Sequence, residues 1–314
     1  MVYFSHLTDI IKEKSWIFGG NVMSYAVYTD GCSNLPGRIL KELDIRVLPC
    51  SYILDDVPCT YDGNIEHFDS PGFYNKLRAG SVMKTSLINS QMFMDHFRLA
   101  LEQGLDVVYT GISSGVSGTI QAARIAAEEL MEQFPERTIR VVDSLGAAFG
   151  PGLLACRAAD LRNEGKNAAE AGDILEGEVP HLLQYFTVDD LNFLKRTGRV
   201  SGATAAIGTV LNIKPLLWGD PTGHIVALQK CRGRKKAISQ IVELYRTRVI
   251  DPEKQRVAIS HGDCLEEAQL LAEQICAIAQ PKELIIEPHE PFTGSHVGPG
   301  MLALYFFGKE RTEK

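Results

Sequence analysis

The chain lacks a Cys-x-x-Cys pair, an excess of positive charge and any apolar run long enough to span a bilayer, and only 8% of it is aromatic. Each absence removes a class of protein. Without eighteen or more consecutive apolar residues, no segment is expected to cross a membrane. Seven cysteines, at positions 32, 50, 59, 156, 231, 264 and 276, are scattered and odd in number. That usage fits reduced cytoplasmic thiols better than a disulfide framework, and it suggests no metal site. A net charge of −7 lacks the basic face that nucleic acid requires. No Gly-x-x-x-x-Gly-Lys-Ser/Thr loop, kinase-type glycine loop or acidic cluster suited to Mg-ATP is present, so the chain is not expected to phosphorylate anything alone. Met1 to Asn21 has no basic start followed by an apolar core, and Asp9 and Glu13 interrupt it. It does not read as a signal peptide, and residues 1–23 read as an N-terminal extension.

What is present is a globular composition, 45% hydrophobic over 314 residues, enough for two domains with real cores. From Tyr25 strands and helices alternate. Tyr25–Thr29 and Val47–Leu54 read as strands around a short helix at Pro36–Leu43; Phe68–Leu77 and Ser90–Gln103 read as helices, and Ile139–Val142 as a strand. This rhythm predicts a mainly parallel sheet with ligands at the carboxyl ends of its strands. The second half differs. Ile213–Leu217 and His224–Lys230 flank a Gly219-Asp-Pro-Thr-Gly223 turn and read as a hairpin, which predicts a mixed sheet. The fold expected is therefore two α/β domains, residues 24–180 and 181–314, with a ligand cleft between them. A small-residue helix is expected at Ala203–Leu211, and the histidines at 6, 67, 96, 181, 224 and 289 are expected at the surface or as caps.

The most informative segment is Gly111-Ile-Ser-Ser-Gly-Val-Ser-Gly-Thr119, between the strand Asp106–Thr110 and the helix Thr119–Gln133. Glycine lets the backbone approach a ligand, and the free N–H groups and dipole of a helix start attract an anion. Serine hydroxyls add donors. The loop reads as a carboxylate or phosphate site, or as the seat of a serine nucleophile. Gly111-Ile-Ser113-Ser-Gly115 formally fits the Gly-x-Ser-x-Gly elbow, with His261 or His296 later in the chain, so a serine esterase stays as the alternative. Asp30 and Asp143 read as loop or cap residues.

Thr29-Asp-Gly-Cys-Ser-Asn-Leu-Pro36, Lys84-Thr-Ser86, Ser113-Ser-Gly-Val-Ser-Gly-Thr119, Val142-Asp-Ser144, Gly198-Arg-Val-Ser201, Asn212-Ile-Lys-Pro215 and Gly294-Ser-His-Val-Gly-Pro-Gly300 follow in order. Together they resemble the DegV family from about Tyr25 to Gly308. The resemblance implies a two-domain α/β protein that binds one long-chain fatty acid between its domains. It also implies a role like the fatty-acid-binding (FakB) component of bacterial fatty acid kinase, which hands the carboxylate to a separate ATP-binding subunit. Carried onto this sequence, the carboxylate residues are Thr85, Ser117 and His296, with Ser86, Gly118 and Arg199 in support. Arg232, Arg234, Lys235 and Lys236 become candidates for kinase docking, because such cations neutralise phosphate and steer an acidic surface. No cofactor is implied beyond the lipid, no transmembrane segment is expected, and transient contact with a membrane surface is compatible with the reading. Gly31-Cys32, Leu87-Ile88 and Ile120 depart from the family's usual residues and bear on the tunnel lining.

Chemistry points the same way. A carboxylate in a low-dielectric cleft needs hydrogen-bond donors, which two hydroxyls and helix-start amides supply without a buried countercharge. At about 0.8 kcal/mol per buried methylene, a sixteen-carbon tail contributes about 10 kcal/mol before ordering costs. The tail is expected to hold the ligand more than the head.

Overall fold

The computed structural model describes residues 17–18, 21–22, 24–200 and 212–312. Ser201 and the helix expected at Ala203–Leu211 lie outside the described residues. Near the start, β1 (Ile17–Phe18) and β2 (Asn21–Val22) pair antiparallel. The chain then runs β3 (Tyr25–Asp30), α1 (Gly37–Glu42), β4 (Ile45–Leu48), β5 (Cys50–Leu54), β6 (Val57–Tyr61), α2 (Ser70–Arg78), β7 (Met83–Thr85), α3 (Ser90–Leu101), β8 (Asp106–Gly111), α4 (Thr119–Gln133), β9 (Ile139–Asp143), α5 (Phe149–Asn163) and α6 (Ala168–Glu178). It continues with β10 (Leu182–Thr187), α7 (Asn192–Thr197), β11 (Ile213–Gly219), β12 (Ile225–Arg232), α8 (Arg234–Arg248), β13 (Arg256–His261), α9 (Leu265–Ile278), β14 (Glu283–Pro288), α10 (Pro291–Val297) and β15 (Leu302–Phe307).

The first sheet is wholly parallel in the order β4-β3-β8-β9. Its central strand β3 is buried along its whole length, as βαβ crossovers require when they cover both faces. Tyr25 and Val27 face one apolar cluster with α5, while Ala26 and Tyr28 face a second with α3 and α4. The second sheet is mixed, in the order β12-β11-β10-β15-β13-β14, with only β13 and β14 parallel. Leu183 and Tyr185 pack under α8 and α9. Leu182 and Phe186, on the opposite face of β10, join the cluster that contains α5.

Helix α5 explains how the two domains abut. Its sequence is apolar on nearly every side because it is buried between the sheets, with Phe149, Leu153 and Leu154 in one cluster with Ala303 and Tyr305. A helix apolar all round is a buried helix. Ion pairs close the rim of this contact: Arg256 to Asp160 at 2.6 Å and Arg38 to Glu283 at 2.8 Å.

The strand expected at Val47–Leu54 is in fact two. It breaks at Pro49, which has no N–H to give a ladder, so that β5 leaves the first sheet and builds a small antiparallel one in the order β6-β5-β7. Neither β6 nor β7 is apparent from periodicity, since three to five residues carry too few positions to show one. That small sheet matters because it carries Thr85.

Candidate functional site

Four elements bring the candidate residues to one place. Thr85 ends β7, Ser117 and Gly118 stand immediately before α4, His296 lies in the last turn of α10, and Arg199 follows α7. All five line a cavity of about 380 Å³, within the usual range for small-molecule pockets. The rest of its wall is largely apolar, including Ile112, Val116, Phe186, Leu194, Phe292 and Met301.

Polar atoms punctuate this wall. Thr85 Oγ1 lies 3.2 Å from His296 Nε2, while His296 Nδ1 is buried without a protein partner. Ser117 Oγ lies 2.9 Å from Thr119 Oγ1 and accepts the Thr119 N–H at 3.3 Å. Beyond that bond Gly118 has no side chain to cap α4, so the next N–H groups of its first turn are left for a ligand or solvent. Leu87, half exposed, borders both the cavity and Gly118.

Burial pushes the His296 imidazole down to about 4, with the Arg199 charge adding to the effect. The ring is therefore neutral near pH 7. With its proton on Nε2 it donates to Thr85 Oγ1, which leaves the Thr85 hydroxyl proton free for an incoming anion. Arg199 itself donates to the Thr197 carbonyl. Ser86 does not line the cavity; it is exposed, and its N–H bonds the Ser51 carbonyl.

The segment after β9 forms another wall. Gly146 and Ala147 line the cavity between Leu145 (φ 47°) and Ala148 (φ 50°). Left-handed conformations in such residues cost about 1 to 3 kcal/mol each, and here they bend the chain around the pocket. Asp143 fixes the bend by accepting from the Ser114 and Leu145 N–H groups. Asp30 is a buried cap, holding the Cys32 and Ile112 N–H groups and the Tyr109 hydroxyl, and burial raises its carboxyl above the usual range.

The esterase geometry is absent among the described residues. Ser113 is buried, its hydroxyl donates to the Gly223 carbonyl at 2.9 Å and accepts the Gly115 N–H, and no imidazole reaches it. A nucleophile needs a base within hydrogen-bond reach. Ser113 instead ties the first domain to the β11–β12 turn, where Gly223 has φ +79°.

The basic run divides. Arg232, Lys235 and Lys236 are exposed. Arg234 departs from the docking expectation, since its guanidinium is mostly buried and bound to Glu267 at 2.7 Å, with Asp189 at 3.9 Å.

The model of the DegV family matches residues 24–309. A DegV domain-containing protein of Clostridium perfringens is 38% identical over 285 residues, covering 90% of this chain and 97% of the relative. The chain belongs to the DegV family. Among solved structures, a DegV family protein of Thermus thermophilus described as fatty-acid binding has a TM-score of 0.81 at 30% identity, covering 91% of this chain and 100% of that one. DegV of Bacillus subtilis, described as a fatty acid binding protein, gives 0.77 at 28% identity, with 91% and 100% coverage.

In this DegV chain one cavity-lining residue escaped the sequence reading. His289, expected at the surface or as a cap, is buried and lines the cavity. Its Nδ1 lies 2.8 Å from Ser260 Oγ and its Nε2 2.7 Å from Thr293 Oγ1. Burial holds its imidazole down to about 3. The available signal was its spacing from His296: positions 289, 292, 293 and 296 repeat at helical intervals.

Proposed function

We propose that this chain binds one long-chain fatty acid in the cavity between its domains and presents the carboxylate to a separate ATP-dependent fatty acid kinase subunit. The observation that carries the reading is that Thr85, Ser117 and His296 line one largely apolar cavity, beside the N-terminus of α4. The hydroxyls and the helix start satisfy the carboxylate, and the neutral His296 orients Thr85 toward it. The apolar wall takes the tail. Binding of fatty acids by the related Thermus thermophilus and Bacillus subtilis proteins supports this reading.

The carrier is not catalytic alone, because it has no nucleotide-binding loop, and we place it in the cytoplasm. Arg199 at the cavity and Arg232, Lys235 and Lys236 on the surface are the proposed contacts for the kinase or its nucleotide. The test of lipid binding is native mass spectrometry of the purified protein followed by organic extraction. We expect a one-to-one complex with a long-chain fatty acid. Protein that is lipid-free and takes up neither oleate nor palmitate overturns the proposal.

A further inference from the structure

Gln184 lines the cavity but stands apart from Thr85, Ser117 and His296. It lies on β10 and is 7% exposed. Its amide reaches across to the first domain, where Oε1 accepts the Ala147 N–H at 3.2 Å and Nε2 donates to the Leu145 carbonyl at 2.9 Å. One hydrogen bond on each side of the amide fixes the group in place. Two glycines leave the space it fills: a Cβ at Gly219 would come 2.6 Å from Gln184 Nε2, and one at Gly146 would come 2.9 Å from it. Neither glycine has a positive φ, so it is crowding by Gln184, and not backbone strain, that a side chain there would meet.

Behind the amide the protein is filled. The Leu145 carbonyl that holds Nε2 also accepts from Arg311 Nη1 at 2.9 Å, and Arg311 Nη2 donates to the Val179 carbonyl at 2.7 Å. Arg311 is 3% exposed and is not part of the cavity wall. On this side the cavity therefore stops at Gln184.

The strands show which side that is. Thr85 meets His296 in the last turn of α10, and the residues after that turn run to the carboxyl end of β10. A Cβ at Gly298 would meet the Phe193 ring of α7, one at Gly300 would meet the Asp189 carboxyl, and Leu302 pairs with Thr187. Gln184 lies three residues back along β10 from Thr187, about 10 Å at the rise of a strand. Phe186, on the same face between them, also lines the cavity. Gln184 thus closes the cavity toward the amino end of β10, away from Thr85 and His296.

We propose that Gln184 sets the length of acyl chain this protein accepts, as a fixed stop for the terminal methyl, a role that rests on the fatty-acid reading above and deepens it. Each methylene that finds room in the apolar cavity raises affinity about fourfold. A methylene that reaches Gln184 gains nothing. To pass, it has to displace an amide whose removal strips the buried Ala147 N–H of its partner.

The test is titration of delipidated protein with saturated fatty acids from lauric to behenic acid. We expect affinity to climb about fourfold per carbon and to stop climbing at one length. Gln184→Ala should move that break to chains about two carbons longer, because the truncated side chain vacates room for about that many methylenes. Gly219→Ala should move it to shorter chains, because the added methyl stands on the cavity wall and crowds the amide. This second variant keeps Gln184 and decides the matter alone should the first fail to fold. A break at the wild-type length in either folded variant overturns the stop while leaving the carrier reading intact, as does affinity that climbs without a break in the wild type. No binding of any acid in the series overturns both.

Discussion

Ser117 and Thr85 are half-buried hydroxyls in the wall of a largely apolar cavity, where a hydrogen bond to a charged group is worth about 1.5 to 3 kcal/mol. Ser117→Ala or Thr85→Ala should therefore weaken fatty-acid binding about ten- to a hundredfold, measured by titration of delipidated protein. Full affinity in Ser117→Ala would remove the helix-start site. The buried titratable groups make a separate prediction for the lipid-free protein. His289 is held down to about 3 and His296 to about 4, against 6.5 for an unperturbed imidazole. Each contributes stability that is complete above pH 6.5 and is lost as pH falls through its folded value. Glu290 is pushed up by burial from 4.5 to about 7, so its contribution is complete below pH 4.5 and is lost as pH rises through 7. Between pH 4.5 and 6.5 the two effects oppose one another, and below 4.5 only the histidines act. Urea midpoints should fall most steeply below about pH 4.5, and His289→Gln should flatten that fall. An unchanged slope in the variant would mean that His289 does not carry it.

At the scale of elements, α10 is the short helix on which the site depends. Seven residues cannot hold a helix by propensity alone, and Glu290 caps it by accepting the Phe292 and Thr293 N–H groups. Asn34 fixes the entry by accepting the Glu290 N–H at 2.7 Å and donating to the Pro288 carbonyl. Loss of a cap costs about 0.5 to 2 kcal/mol, and here it also frees the turn that carries His296. Glu290→Ala should lower the melting temperature and weaken fatty-acid binding, whereas Glu290→Gln, which keeps an acceptor, should retain more of both. Differential scanning calorimetry with a parallel titration checks this, and equal behaviour of the two variants would count against a capping role. The parallel strands β3, β8 and β9 were legible in the sequence because long buried apolar runs bounded by polar turns have few other solutions. Strand β7 was not, because its pairing with β5 is decided by cross-strand partners far along the chain.

At the scale of the molecule, the two sheets close on α5, and the cavity is lined from both halves of the chain. The exposed cations Arg232, Lys235 and Lys236 lie at and just after the end of β12, with Arg234 internally paired among them. If the first three meet a kinase, Arg232→Glu should slow fatty-acid-dependent ATP turnover in a coupled assay with a fatty acid kinase subunit, while lipid loading stays intact by native mass spectrometry. Charge repulsion acts on encounter more than on the lipid site. Fatty-acid-dependent ATP turnover by the isolated chain would contradict the division of labour, and unchanged coupled turnover in Arg232→Glu would remove that residue from the docking surface.

The sequence by itself determined the alternation of strands and helices, the change from a parallel to a mixed sheet, and the glycine- and serine-rich start of α4. These follow from local periodicity and backbone freedom, which a linear string records. It also carried the motifs that place the chain among DegV proteins. Only the tertiary structure decided that Ser113 bonds a turn of the second domain instead of a base, that Arg234 is neutralised by Glu267, and that His289 lines the cavity. Those outcomes depend on which groups come within about 3 Å of one another after folding, from about thirty residues apart for Arg234 and Glu267 to 110 apart for Ser113 and Gly223, and on how far burial strips water from them. Neither is a property of any one segment.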